Sequence, residues 1–204
     1  MKAIAIEGTI RNSSGKKAAK EVRREDMVPC VVYGGEENVH FSAPMSAIRP
    51  LIYTPDFNTI SVTVEGKTYS TIIKDFQSHP VTDSIMHVDF QELVPNRPIF
   101  TEIPVRLTGL AKGVKAGGKL MLKMRTLKVK ALPENLVSEI KVDVTPLEVG
   151  KSVRVRSVNI EGIEVMNSPA TPIASVDITR ALRSAAAAAA TAAAAAAKGA
   201  KKKK

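Results

Sequence analysis

The stretch TISVTVEGKTYSTIIK, residues 59–74, decides the fold class. Thr59–Val64 alternates polar and apolar residues with period two, so one row of side chains faces a core and the other faces away. Glu65 and Gly66 then offer a two-residue reversal into Lys67–Lys74, the pattern of a β-hairpin. Working outward, strands are expected at Ala3–Arg11, Pro29–Tyr33, Val39–Phe41 and Ile85–Gln91. The second half reads as strands at Ile99–Leu107, Leu120–Leu132, Glu139–Val144, Ser152–Val158, Ile163–Val165 and Ile173–Val176. Helix is expected at Lys16–Asp26 and at Pro44–Leu51, with Ser42 as cap and Pro44 in the first turn. Thr145 through Gly150 reads as one short helical turn. There is no internal repeat and no long crossover helix. A doubly wound parallel sheet is therefore unexpected, and the chain reads as mainly β, built from small barrels or sandwiches.

Organisation follows from composition. The segment LVPNRP, residues 93–98, holds two prolines, and Pro98 pushes Arg97 towards an extended conformation. It reads as a linker between a domain at 1–92 and a second domain at 99–182, with a low-complexity Ala/Lys tail at 183–204. Hydrophobic residues make up 44% of the 204, which rules out wholesale disorder. A single cysteine excludes an intramolecular disulfide framework and a Cys-cluster zinc site. Cys30, in an apolar strand, reads as a small buried hydrophobe. No secretory leader is legible after Met1, and the uncharged run at 184–197 is short of the roughly 20 residues that span a bilayer. A cytoplasmic protein is expected, with no membrane partner.

Lys and Arg number 30 against 20 acids, a formal net charge of +10. Such an excess favours a polyanion, nucleic acid first. With 4% aromatics and no Trp, stacking platforms for single strands are unexpected. Two windows concentrate the cations. Arg11–Arg24 holds six of them and one acid, Glu21. On a helix, Lys16, Lys20 and Arg23 share a face, Lys17 and Arg24 flank it, and Ala18 and Val22 turn away, with Ala19 at the margin. Like charges at this spacing repel, and a polyanion relieves the repulsion. Gly15, Ala18 and Ala19 would allow close approach of its backbone.

The second window, residues 106–130, holds eight cations and no acid. Inside it, Gly113 to Lys119 fits G-x-x-x-x-G-K. Leu120 stands where a hydroxyl should hold magnesium, however, and a strand follows instead of a helix, so it is a false P-loop. Apolar parity switches within Leu120–Leu132, which predicts a bulge near Arg125 and Thr126. Lys123, Arg125, Lys128 and Lys130 then line the outer face, either solvated or against RNA. The tail adds Lys198 and Lys201 to Lys204 and no acid.

A polar cluster, Gln77, His79, His87 and Asp89, admits two readings. If Ile85–Gln91 is a strand, His87 and Asp89 share a face and hydrogen-bond a polar partner or the protein itself. The alternative is a metal-dependent RNA-processing enzyme using His79, His87 and Asp89. Tyr33, before Gly34 and Gly35, is either core or an exposed ring.

Ordered landmarks carry a resemblance. Gly15 and Lys16 open a basic helix. Val28 and Pro29 lead to Tyr33, Gly34 and Gly35, then come Gln77 to Pro80 and His87 to Phe90. Ile103 to Val105, Gly109 to Gly118 and Val142 to Gly150 follow. In that order and spacing the chain resembles the bacterial large-subunit ribosomal protein family L-twenty-five, in its long two-domain form, the general stress protein Ctc, over roughly residues 3–180. The resemblance implies a six-stranded N-terminal β-barrel with one or two short helices, a second β-rich domain, and a structural protein of the large ribosomal subunit that binds 5S ribosomal RNA without catalysis or cofactor. It places RNA contacts at Arg11, Gly15, Lys16, Lys20, Arg23, Tyr33, Gln77, His87 and Asp89. Two positions depart from the family: Ala19 replaces a small hydroxyl residue and Lys20 an arginine, losing the planar fork. A further expectation is that residues 106–130 and the tail contact other ribosomal RNA or neighbouring large-subunit proteins. No small-molecule substrate is expected.

Overall fold

The computed structural model describes residues 3–180 apart from 14 and 36, together with 184. The tail expected at 183–204 otherwise lies outside the described residues.

The first half runs β1 (Ala3–Ile10), α1 (Lys16–Arg24), β2 (Met27–Tyr33), β3 (Val39–Pro44), α2 (Met45–Tyr53), β4 (Thr59–Val64), β5 (Lys67–Ser78) and β6 (Ile85–Glu92). Its six strands close into a barrel in the order β1-β3-β2-β6-β5-β4. The β1–β4 and β2–β6 pairings are parallel and the others antiparallel. Period-two alternation supplies the core: Val28, Cys30 and Val32 of β2, Phe41 and Ala43 of β3, Ile60, Val62 and Val64 of β4, Val88 and Phe90 of β6 are all buried. The Phe41 and Phe90 rings meet at 5.7 Å between centroids, and α2 adds Ile48 and Leu51 to the same cluster. Gly8 leaves room for Phe41, since a methyl group there would overlap the ring. The β4–β5 reversal is the expected two-residue turn, with Glu65 and Gly66 both at positive φ (49° and 82°).

Ser42 does not cap α2. It lies in β3, its hydroxyl 2.9 Å from that of Thr9, and the N-cap residue is Pro44.

The second half runs β7 (Ile99–Thr108), α3 (Lys112–Lys115), β8 (Lys119–Leu122), β9 (Thr126–Ala131), β10 (Ile140–Asp143), β11 (Ser152–Arg154), β12 (Ile163–Val165) and β13 (Pro172–Asp177), with single 3-10 turns at Pro133–Asn135 and Val155–Ser157. Two sheets result, ordered β10-β7-β9-β12 and β11-β13-β8. The single strand expected at Leu120–Leu132 is in fact β8 and β9, in different sheets. Where it breaks, the N–H groups of Lys123 and Met124 both donate to the Ile173 carbonyl (2.8 and 3.1 Å). The parity switch marks a change of sheet and not a bulge. The helical turn expected at Thr145–Gly150 is instead a pair of turns, closed by the Leu147 N–H on the Val144 carbonyl (3.0 Å) and the Lys151 N–H on the Glu148 carbonyl (3.2 Å). The false P-loop glycines serve packing. A side chain at Gly113 would strike the backbone of Glu148 and Val149, and one at Gly118 would strike Val176. A strand, β8, follows them.

Contacts group the chain into two compact units. The first takes Met1–Pro104, Lys128–Ile140 and Ile160–Met166 and contains the barrel. The second takes Val105–Leu127, Lys141–Asn159 and the chain from Asn167 on. Its core gathers Ala111, Val144, Leu147, Ala174 and Val176.

Candidate nucleic-acid interface

Strand register builds one wall of the barrel. Val31 pairs with His40 on one side and with Asp89 on the other; Asp89 pairs in turn with Asp75, and His87 with Gln77. Since Cys30, Val32, Val88 and Phe90 point inward, the alternate residues Val31, Tyr33, His87 and Asp89 point outward. Tyr33, Gln77, His87 and Asp89 thus share the outer face of β2, β6 and β5. Of the two options for Tyr33, the core one falls: the ring is on the outer wall and half-buried.

His87 Nδ1 lies 2.6 Å from Asp89 Oδ1, with about a third of each side chain exposed. A carboxylate only accepts, so the proton sits on Nδ1 and Nε2 is left as the second hydrogen-bonding edge. Asp75, across from Asp89, accepts the Phe76 N–H at 2.8 Å. Burial first, then the Asp89 and Asp75 carboxylates, pushes the Tyr33 hydroxyl above its ordinary pKa, so it keeps its proton and remains a donor. Cys30, beneath the wall, is raised to about 12 by burial, with Asp89 adding to the shift and Arg11 opposing it. It is a buried thiol, as expected.

Helix α1 flanks this wall. Ala18, Ala19, Val22 and Arg23 are half-buried, while Lys16, Lys17, Lys20 and Arg24 are exposed. Arg23 donates from Nε and Nη2 to the Met86 carbonyl (3.1 and 3.0 Å), one residue before His87. It therefore anchors the helix to β6 and sits at the margin of the cationic stripe, whose centre is Lys16, Lys20, Lys17 and Arg24. Gly15 begins the helix at φ 110°, a conformation costly for any residue with a Cβ, and among the described residues no side chain caps it. The first turn holds no acid. Its uncapped N–H groups and the helix dipole add to the charge of Lys16 and Lys17. Arg11 follows β1, its N–H donating to the His40 carbonyl, and its Nε is buried with no partner among the described residues.

His79 is elsewhere engaged. Its Nδ1 accepts the N–H groups of Val81 and Thr82 (3.3 Å each) and its own N–H donates to Ser84, closing a turn over 79–84. Among the described residues no three His, Cys, Asp or Glu converge in a metal-holding arrangement. The grouping of His79 with His87 and Asp89 behind the metal-dependent RNA-processing alternative dissolves.

Sequence reasoning overlooked two residues of the wall. His40 is exposed on its outer face, and the alternation Val39, His40, Phe41 was enough to place it. Asp75 was not legible, because a register shift between Ile73 and Asp75 resets parity there. The window at 106–130 is also less bare in space than in sequence: Lys128 pairs with Glu102 at 3.7 Å and Lys130 with Glu164 at 3.3 Å. No helix among the described residues is long and apolar enough to cross a membrane.

Comparison with known proteins agrees with this architecture. The pattern of the Ribosomal L25p family matches residues 6–90, and that of the ribosomal protein TL5 C-terminal domain matches residues 98–180. A protein of Phocaeicola vulgatus named large ribosomal subunit protein bL25 is 46% identical over 192 residues, covering 91% of this chain and 97% of the relative. Proteins of the same name from Porphyromonas gingivalis and Bacteroides fragilis are 46% and 45% identical, each over 91% of this chain and 97% of the relative.

Proposed function

Because the chain belongs to the ribosomal L25p family, we propose that it is a component of the bacterial large ribosomal subunit and that its barrel binds 5S ribosomal RNA. Its role is structural and not catalytic, and its place is the cytoplasmic ribosome. Along the chain the proposed domains are 1–92 for the 5S-binding barrel, 93–98 for the linker, 99–182 for the second domain and 183–204 for the tail, whereas contacts group 99–104, 128–140 and 160–166 with the unit that contains the barrel. The observation that carries the reading is the joining of α1 to the polar wall: Arg23 holds the helix on Met86, beside His87 and its partner Asp89.

The division of labour follows from chemistry. The minor groove of A-form RNA is wide and shallow and displays 2′-hydroxyls and base edges. Lys16 and Lys20, with the uncapped first turn of α1, meet phosphates and fix register. Arg11, whose buried Nε has no partner among the described residues, adds a further charge for the phosphates. Tyr33 donates through its hydroxyl, Gln77 pairs in either sense, and His87 presents Nε2 in an orientation set by Asp89. These uncharged or oriented groups discriminate bases and 2′-hydroxyls.

The test is binding of the full chain to 5S ribosomal RNA and to a size-matched control RNA. Replacing Lys16 and Lys20 with Gln is expected to weaken 5S binding and to lower its log–log salt slope by about 1.5. Unchanged affinity and slope would remove these residues from the interface. Equal wild-type affinity for both RNAs would remove the proposal.

A further inference from the structure

We propose that the second unit is itself a polyanion-binding body, one that takes the phosphate backbone of ribosomal RNA outside the stretch held by the barrel. The inference rests on the reading that the protein works on ribosomal RNA, but not on the barrel's choice of 5S.

Formal charge is divided between the units. The described residues of the first carry twelve Lys and Arg against sixteen Asp and Glu, a net of −4, although the first unit holds the cationic helix. Those of the second carry eleven against three, a net of +8. All eleven of these cations are exposed. The three acids are already engaged: Asp143 accepts from Thr145, Asp177 accepts the Ser175 hydroxyl at 3.0 Å, and Glu148 pairs with Lys151 at 3.0 Å.

Several of the cations border the three-stranded sheet. Lys119 pairs with Asp177 across one edge of β13, and Lys123 follows on the same side with its N–H on Ile173. Arg154 borders the other edge opposite Pro172, with Arg156 next, its N–H on Pro169. α3 presents Lys112 and Lys115. Lysines on edge strands also discourage pairing with a second chain. That accounts for Lys119, but not for Lys123 and the other cations placed off the strands. Six of the eleven are lysines. Lysine is depleted in protein–protein interfaces, whereas a phosphate backbone takes it readily by releasing counterions. RNA is therefore the occupant, and two anchors on one chain would raise the effective concentration of each for its own site.

The experiment uses the full chain in four forms, the first three being wild type, a barrel variant (Lys16→Gln, Lys20→Gln) and a second-unit variant (Lys112→Gln, Lys115→Gln, Lys119→Gln, Lys123→Gln). Affinities for 5S ribosomal RNA and for a fully paired RNA duplex of matched length are read between about 50 and 300 mM KCl. The second-unit variant is expected to lose at least about tenfold in duplex affinity and about 3 units of salt slope, with its 5S-over-duplex ratio kept. The barrel variant is expected to lose the ratio instead. A fourth form with arginine at the same four second-unit positions retains charge and should bind the duplex as wild type does, which separates charge from folding. An unchanged duplex affinity and slope in the second-unit variant overturns the inference and leaves the barrel reading intact. So does a variant that binds the duplex normally yet drops out of assembled large subunits, which would make the surface a protein contact.

Discussion

The carboxylate of Asp89, 2.6 Å from His87 Nδ1, stands on a wall that in the proposed complex faces a polyanion. By charge alone it opposes binding, and with Asp75 directly across the strand pair it makes that patch locally negative. Its contribution must come from orientation, by holding the imidazole so that Nε2 faces outward. The two effects have opposite signs, so they can be separated. Asp89→Ala should lower 5S affinity about 5- to 20-fold, in line with the loss of a charge-assisted hydrogen bond worth roughly 1–2 kcal/mol. The same variant should leave control-RNA affinity unchanged or raised, and the salt slope for 5S no shallower. Equal losses on both RNAs would mean that Asp89 acts on the fold and not on recognition.

At the scale of elements, the barrel depends on small residues where β1 crosses the core. Gly8 faces Phe41, which is fully buried, and any Cβ there overlaps the ring. Gly8→Ala should therefore cost about 1–3 kcal/mol in urea unfolding. Phe41→Leu in the same chain should recover part of that loss, because the smaller side chain vacates the volume; no recovery would place the strain in the backbone of β1. Elements of this kind were legible where local pattern and tertiary placement agree. The alternation of Thr59–Val64, the Glu65–Gly66 turn and the small apolar face of α1 all read correctly, and the strand at Ile85–Gln91 puts His87 and Asp89 on one face. Legibility failed where a long-range partner decides. Leu120–Leu132 looks continuous until Ile173 takes the N–H groups of Lys123 and Met124. Ser42 looks like a cap until Thr9 claims its hydroxyl. Arg23 is indistinguishable by spacing from Lys16 and Lys20, and its bond from Nε and Nη2 to the Met86 carbonyl, which leaves Nη1 for a phosphate, is not legible in the sequence. His79 sits close to His87 in the chain, yet its ring is spent on closing its own turn.

Across the whole molecule, proximity along the chain and partition in space make different claims about which cations matter. Residues 106–130 form one acid-free run, and by that criterion Lys128 and Lys130 rank with Lys112 and Lys115. In space they part: Lys128 and Lys130 belong to the first unit, each with a glutamate within 4 Å, while Lys112 and Lys115 belong to a unit with eight more cations than acids. Exposed ion pairs of this kind contribute about 0–1 kcal/mol to stability, so removing them should leave the fold intact. Their local charge is largely compensated, so removing the lysines should also release few counterions from bound RNA. Lys128→Gln with Lys130→Gln is therefore expected to keep duplex affinity within about twofold of wild type and the salt slope within about 0.5. Lys112→Gln with Lys115→Gln should lower the slope by about 1.5, and the comparison holds the number of charges removed constant. Equal slopes for the two double variants would show that the run of sequence, and not the division into units, governs how the chain meets RNA.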